Sequence, residues 1–227
     1  DEVTPDNLEP EGIDLPGFSY YDTQNGFHIY KNDYALPMGF TFDTYVSRSQ
    51  WETYSEADRC NLLLRALVLE DDAVETYQKD MQKLPDAVPQ MSDEDLLAEC
   101  TERAKTACDS FTYNSKGFHA TISTDHANLV FFSVPWDAGW SAEVNGEPVS
   151  IEKADVGFMA VPVAAGDSEI TFTYHTPGLK AGALLSLGGL VLFAGYLTVA
   201  GIWNKRHPSP KAESVCCVDY SAEETAN

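Results

Sequence analysis

The sequence predicts a mainly β, α+β domain. Its expected form is an antiparallel β-sandwich, jelly-roll-like, with two packed or inserted helices, followed by one transmembrane helix. Three observations lead there. From Phe118 to Tyr174 apolar residues alternate in six short runs divided by turn residues. Two Ser-x-x-Asp patterns, at Ser55 and Ser92, each precede a helical apolar stripe. Finally, the 23 residues from Ala181 to Trp203 carry no charge, which as a helix is long enough to cross a hydrocarbon core.

The elements follow in chain order. Residues 1–17 are acidic and broken by Pro5, Pro10 and Pro16, and read as a linker. Asn25-Gly26 then separates two runs rich in aromatic and β-branched residues, a strong hairpin signal, with strands expected at Phe18–Thr23 and Phe27–Lys31. An extended segment continues through Pro37 to Val46. Helices are expected near residues 55–69, with Leu62, Leu63, Ala66, Leu67 and Leu69 as the buried stripe, and near 92–108. Pro85 and Pro89 break the chain between them. The six later strands are expected at Phe118–Thr124, Asn128–Val134, Trp140–Val144, Pro148–Ile151, Gly157–Val163 and Ser168–Tyr174.

Charge sets the broad class. The net charge of −22 repels phosphate backbones and excludes nucleic acid as a partner. Beyond the apolar stretch come Lys205, Arg206 and Lys211, so the positive-inside rule places that side in the cytoplasm. Residues 1–180 are then extracytoplasmic and 204–227 form a cytoplasmic polar tail. Lys180, Trp203, Lys205 and Arg206 are the candidate membrane anchors, and the lipid bilayer is the first partner. The N-terminal stretch "DEVTPDNLEP" has no apolar h-region. An outward domain without its own signal leads to the expectation that the chain is the C-terminal piece of a longer membrane protein; a removed signal peptide is the alternative. Cys60, Cys100 and Cys108 fall in the outward part, and Cys100 and Cys108, eight apart on one expected helix, are too distant to bridge. A disulfide would have to involve Cys60. Cys216 and Cys217 fall in the tail, where they stay reduced. No spacing matches a metal site and no fingerprint of a bound cofactor occurs.

Four segments carry a resemblance to a known family. They are Asn32 to Gly39 (Asn-x-Tyr-x-Leu-Pro-x-Gly), Gly139-Trp140 before the Asn145-Gly146 hairpin, Gly157 to Val161 (Gly-Phe-Met-Ala-Val), and Thr176 to Leu179 (Thr-Pro-Gly-Leu) leading into the apolar stretch. In this order, across roughly residues 18–203, they resemble the C-terminal part of the YfhO family of bacterial multi-spanning membrane proteins. The resemblance implies a large protein of the bacterial cell membrane, similar to GT-C-type glycosyltransferases. Such proteins add sugars to envelope polymers such as teichoic acids from a polyprenyl-phosphate sugar. It also implies that the catalytic carboxylate lies in an early extracytoplasmic loop, so no catalytic residue carries over to this chain. This segment alone is expected to be inactive. The implied partners are the remainder of a polytopic protein and an envelope glycan or polyprenyl-linked sugar.

The residues themselves offer one candidate ligand contact, "PWDAGW". As a glycan platform, Trp136 and Trp140 would present flat faces to sugar C–H groups while Asp137 accepts hydroxyl hydrogen bonds. Against this, Trp140 shares its alternation with Ala142 and Val144 and reads as inward-facing core, whereas Trp136 follows Pro135 in a turn and reads as more accessible. Acidic groups such as Asp71-Asp72 and Asp93-Glu94-Asp95 read as solvated faces and helix N-termini. The alternatives to the transferase reading are a single-pass, membrane-anchored carbohydrate-binding module and a protein-interaction domain.

Overall fold

A computed structural model describes residues 17–85 and 90–207. The linker read over 1–17 thus lies outside the described residues except for Gly17, as does the tail beyond His207 with Lys211, Cys216 and Cys217. The chain divides after Thr176 into two units.

The first unit begins with a hairpin, β1 (Phe18–Gln24) and β2 (Phe27–Asn32), closed by Asn25 and Gly26 in the left-handed region (φ 53° and 81°) as a primed turn requires. Then come β3 (Phe40–Thr41), β4 (Thr44–Ser47), α1 (Arg48–Thr53), α2 (Glu56–Leu62), β5 (Leu67–Leu69), α3 (Asp71–Tyr77), β6 (Gln82–Lys83) and α4 (Asp93–Ala104). The chain continues as β7 (Ser110–Asn114), β8 (Gly117–Thr124), β9 (Asn128–Phe132), β10 (Trp140–Val144), β11 (Glu147–Val149), β12 (Glu152–Ala154), β13 (Phe158–Val163) and β14 (Gly166–Tyr174). These strands build a five-stranded sheet, β11-β10-β14-β8-β7, and a seven-stranded one, β3-β9-β13-β12-β5-β4-β6.

The two sheets form a sandwich whose core follows from the pleat. Phe118, Ala120 and Ile122 of β8, Ala142 and Val144 of β10, and Ile170 and Phe172 of β14 meet Val130 and Phe132 of β9 and Met159, Val161 and Val163 of β13. Phe132 lies 5.1 Å from Phe118 and 5.3 Å from Phe172, ring centre to ring centre. The intervening residues Leu129, Phe131 and Ala160 turn to the opposite face, where Phe40, Phe42, Tyr45, Leu67, Leu69, Ala73 of α3 and Met81 cover them. Val46 and Val68 face the other way from Tyr45, Leu67 and Leu69, and are covered by Trp51 of α1 and Leu62 of α2. Strands β9, β13, β5 and β4 of the seven-stranded sheet are therefore buried on both faces, against a sheet in one part and short helices in another.

The structure differs from the sequence expectation in its helices: Arg48–Thr53 and Asp71–Tyr77, not marked in the sequence, are also helical. The segment read as helical over 55–69 is helical only from Glu56 to Leu62, and Leu67–Leu69 is a strand parallel to β4. All three of Leu67, Val68 and Leu69 are buried, and a short run buried on both sides has no period to distinguish strand from helix. Ser55 still caps the helix, accepting from the Asp58 amide at 3.2 Å. In α4 the Ser92–Asp95 pair makes the reciprocal capping box. That helix stops at Ala104, so Cys108 lies beyond it, and Cys60, Cys100 and Cys108 are all free thiols.

Two residues explain how the peripheral segments lock on. Gly39, at the end of the Asn-x-Tyr-x-Leu-Pro-x-Gly segment, has φ +81°, and a Cβ there would come within 2.5 Å of the Cys108 Sγ and 2.7 Å of the Phe132 ring. Only glycine lets β3 approach the sandwich so closely. Arg103, buried on α4, donates from Nη1 to the Thr41 carbonyl at 2.6 Å and from Nη2 to the Leu64 carbonyl at 3.2 Å. Its guanidinium lies 4.2 Å over the Phe42 ring. Burial holds its pKa below the ordinary arginine value, yet the group stays charged, because that value lies so far above physiological pH.

The second unit is α5 (Leu179–Arg206), 28 residues with Gly178 at its N-cap in the left-handed region (φ 76°). It is long and apolar enough to cross a membrane, and none of its apolar window is buried. A helix this long and apolar all round has the composition of a membrane span. Trp203 is exposed, its ring 4.9 Å from that of His207, and Lys205 and Arg206 stand in the last turn. Lys180 sits in the first turn.

Replacing Arg103 by Ala should destabilise the β-rich unit by roughly 1–3 kcal/mol, because the part-buried Leu64 carbonyl loses a donor and the Thr41 carbonyl is left to the Thr106 hydroxyl. Arg103→Lys should recover only part of this, having no planar fork to reach both carbonyls. Urea unfolding of the chain in detergent reads both differences.

Candidate functional site

The loop from Ser133 to Gly139 carries the chain from β9 in the seven-stranded sheet to β10 in the five-stranded sheet. Its two tryptophans are consequently parted. The Trp136 amide donates to the Gly157 carbonyl at 2.8 Å, which ties it to the start of β13. Trp140 opens β10 beside Tyr174. The turn between them is held by Asp137, whose Oδ1 accepts from the Gly139 amide at 2.7 Å. Gly139 has no room for a side chain: a Cβ would stand 2.5 Å from the His175 carbonyl oxygen.

Trp140 and Asp137 line one cleft, of about 610 Å³, together with Phe111, Tyr113, Val134 and Tyr174. Trp140 is half-buried on the sandwich core, its ring 5.6 Å from Phe118, 6.1 Å from Phe172 and 5.0 Å from Tyr174. Its ring is thus held by edge-to-face packing on three aromatic neighbours. Asp137 also accepts a hydrogen bond from the Tyr174 hydroxyl, and this bond holds the phenol above its ordinary pKa. Its carboxylate serves the loop and the adjacent strand end, which leaves it less capacity for a ligand hydroxyl.

Trp136 lines a different cleft, of about 600 Å³, whose other walls are Arg48, Glu52, Glu70, Asp72, Glu152 and Lys153. At 37% exposure it is the more accessible of the pair. The Lys153 Nζ lies 4.1 Å over its ring, a cation–π contact. Arg48 Nε pairs with Glu52 Oε1 at 3.0 Å. Glu152 Oε1 accepts from the hydroxyls of Tyr77 (3.0 Å) and Ser150 (2.7 Å). The cleft therefore offers one aromatic surface amid carboxylate acceptors and cationic donors, the chemistry that suits a hydroxyl-rich ligand. Asp72 was read from the sequence as part of a solvated helix N-terminus, and none of Arg48, Glu70 or Lys153 was singled out. They lie on α1, α3 and β12, and only tertiary folding brings them to Trp136. Among the described residues no group of three His, Cys, Asp or Glu side chains is placed to hold a metal ion.

The rim of this cleft contains a tight turn of unusual composition. Asp155 and Val156 both occupy the left-handed region (φ 46° and 73°), and for a β-branched valine that conformation is strained. Asp155 anchors the turn to β5: its Oδ1 accepts from the Val68 amide at 2.9 Å, while its own amide donates to the Val68 carbonyl at 2.9 Å. Burial pushes the Asp155 carboxyl up to about 7, and the Val68 hydrogen bond only partly opposes it.

These features define a class of protein, a β-sandwich domain joined in sequence to a membrane-length apolar helix. Comparison with known proteins specifies it further. The family model described as "Bacterial membrane protein YfhO" matches residues 87–186. The uncharacterized protein YfhO of Bacillus subtilis (strain 168) is 29% identical over 121 residues, covering 53% of this chain and 13% of that protein. The matched part of the chain thus spans about an eighth of that relative's length. No solved structure matches. Over residues 87–186 the chain is similar to the YfhO family of bacterial membrane proteins.

Since the folded protein holds the Asp155 proton up to about pH 7 while an unfolded chain releases it near 4, the native state binds more protons between those values. Stability from this group is fully present below about pH 4 and is lost as pH rises through about 7. Asp155→Asn keeps the acceptor for Val68 and cannot ionise. Urea midpoints should fall from pH 5 to 8 more steeply for the natural protein than for the variant, which should be the more stable of the two at pH 8.

Proposed function

We propose that this chain is the C-terminal extracytoplasmic domain and last transmembrane helix of a polytopic envelope glycosyltransferase. The whole protein would transfer a sugar from a polyprenyl-phosphate carrier to an envelope polymer of the teichoic-acid type. Within it, this segment is non-catalytic and supports acceptor recognition or the integrity of the fold. The observation that carries the reading is α5, 28 residues long, apolar all round and ending in Lys205 and Arg206. By the positive-inside rule its C-terminal end is cytoplasmic and the β-rich unit lies outside. The 13% share of the Bacillus subtilis relative that the match covers supports the placement within a much longer protein.

Acceptor recognition, on this reading, falls to the Trp136 cleft, in which an aromatic ring stands among carboxylates and cations. Trp140 and Asp137 contribute by holding the loop that presents Trp136.

Immunoblotting of the membrane fraction with an antibody against residues 18–176 should show a band several times larger than this chain. In the same cells a membrane-impermeant maleimide should label the exposed Cys60 without permeabilisation. Cys216 and Cys217 should react only after it. Cys108, whose half-buried thiol is pushed up to about 11, should lag behind Cys60. A band of this chain's own size, or inverted labelling, would refute the proposal.

The recognition step has its own test. Trp136→Ala should weaken binding of envelope glycan to the purified membrane protein by roughly tenfold, about what an aromatic contact of 1–1.5 kcal/mol contributes. Unchanged affinity would leave the domain with a role in fold integrity alone.

A further inference from the structure

The apolar cleft beside Trp140 lies at one end of the five-stranded sheet. Strand register collects its parts there: Asn114 faces Gly117 across the β7–β8 turn, Gly117 faces Thr173, and Trp140 faces Tyr174. Phe111, Phe118, Val134 and Trp140 supply most of its wall. Tyr113 stands at the rim, 83% exposed, and the exposed Lys116 follows in the turn. Lys116 and Asp137 are the only charged residues that line it, so the cleft is neutral in a chain of net −22. Asp137 is already engaged by the Gly139 amide and the Tyr174 hydroxyl, which leaves Lys116 as the charge at the rim. An open apolar cleft edged by Tyr, Trp and Lys has the composition of a water–lipid boundary, where ring bodies enter the apolar layer and polar ends stay wet.

The chain leaves the β-rich unit at this same end. The Tyr174 amide donates to the Lys116 carbonyl at 2.7 Å, and the His175 amide to the Gly139 carbonyl at 2.8 Å. The end of β14 is thus pinned between the two loops that frame the cleft. Thr176, Pro177 and Gly178 alone separate His175 from Leu179, the first residue of α5. That link spans at most about 14 Å when fully extended. The opposite end of the sheet, with the β8–β9 turn at Asp125, is removed by the 8 residues of β8, roughly 25 Å of strand.

We infer that this end of the sandwich rests on the bilayer that α5 enters, with Tyr113 in the headgroup layer and the cleft open towards the lipid. This rests on the proposed function only in placing α5 in a bilayer, and needs neither a transferase nor a longer parent protein. The short link is what selects lipid as the partner. A membrane-length helix that begins within that reach keeps lipid beside the cleft at all times, so the contact forms without high intrinsic affinity. Lys116 adds attraction for anionic headgroups, which the net charge of the rest of the unit does not offer.

The test reconstitutes the full-length membrane protein in vesicles of phosphatidylcholine and phosphatidylglycerol. A genetically encoded fluorescent amino acid replaces Tyr113 or, as control, Asp125, which is exposed in the β8–β9 turn. Both sites are exposed, so neither replacement disturbs the core. With lipids carrying a doxyl quencher near the headgroup, the probe at position 113 should lose most of its emission and the probe at position 125 should keep its own. Equal quenching at the two positions would show only the affinity of the dye for lipid and overturn the inference. No quenching at position 113, the result expected if another protein segment covers the cleft, would overturn it too. Flotation of the vesicles separates this inference from the proposed function. Protein that does not float removes α5 from the bilayer and both readings with it, whereas protein that floats with position 113 unquenched removes only the docking. A native band of this chain's own size removes the transferase and leaves the docking in place.

Discussion

Everything in the β-rich unit depends on one constraint, that β9 and β13 are buried on both faces. Val130, Phe132, Met159, Val161 and Val163 point into the sandwich, while Leu129, Phe131 and Ala160 point the other way. A strand with two dry faces needs two covers. The five-stranded sheet supplies one. The other is assembled from β3, α3 and the segment around Met81. Along the same sheet, Val46 and Val68 obtain their cover from α1 and α2. The short helices are thus the second half of the core, and the close fit at Gly39 and the hydrogen bonds of Arg103 keep that cover in place.

The same arrangement determines where a ligand could be met. Because β9 and β10 belong to different sheets, the loop joining them runs along the end of the sandwich and divides its aromatic residues between two environments. Trp140 is drawn into packing with Phe118, Phe172 and Tyr174. Trp136 is left beside the strained Asp155–Val156 turn, facing charges delivered by α1, α3 and β12. The polar cleft is a by-product of covering the second sheet, since the helices that close the core also bring Arg48, Glu52 and Asp72 to its edge.

The charge distribution connects this domain to its setting. All but one unit of the net −22 resides in residues 1–180, and the uncharged stretch from Ala181 begins directly after it. Such a net charge keeps the surface of the unit well solvated.

Much of the fold was legible in the residues because the signals were local. The Asn25-Gly26 and Asn145-Gly146 turns show the left-handed dihedrals that their chemistry demands. Both Ser-x-x-Asp caps form, and the period-two runs after Phe118 became the strands of the sandwich. The uncharged length of 181–203 sufficed to mark α5. What the residues could not show were features set by contacts distant in sequence. Leu67–Leu69 became a strand because a parallel neighbour, β4, was available some twenty residues earlier. The isolation of β1–β2, the separation of Trp136 from Trp140, and the meeting of Arg48, Asp72 and Lys153 were likewise decided by which sheet each segment joined. Local pattern determines the conformation a segment adopts; only the competition among sheets and helices for buried apolar surface determines its neighbours, and hence which side chains share a cleft.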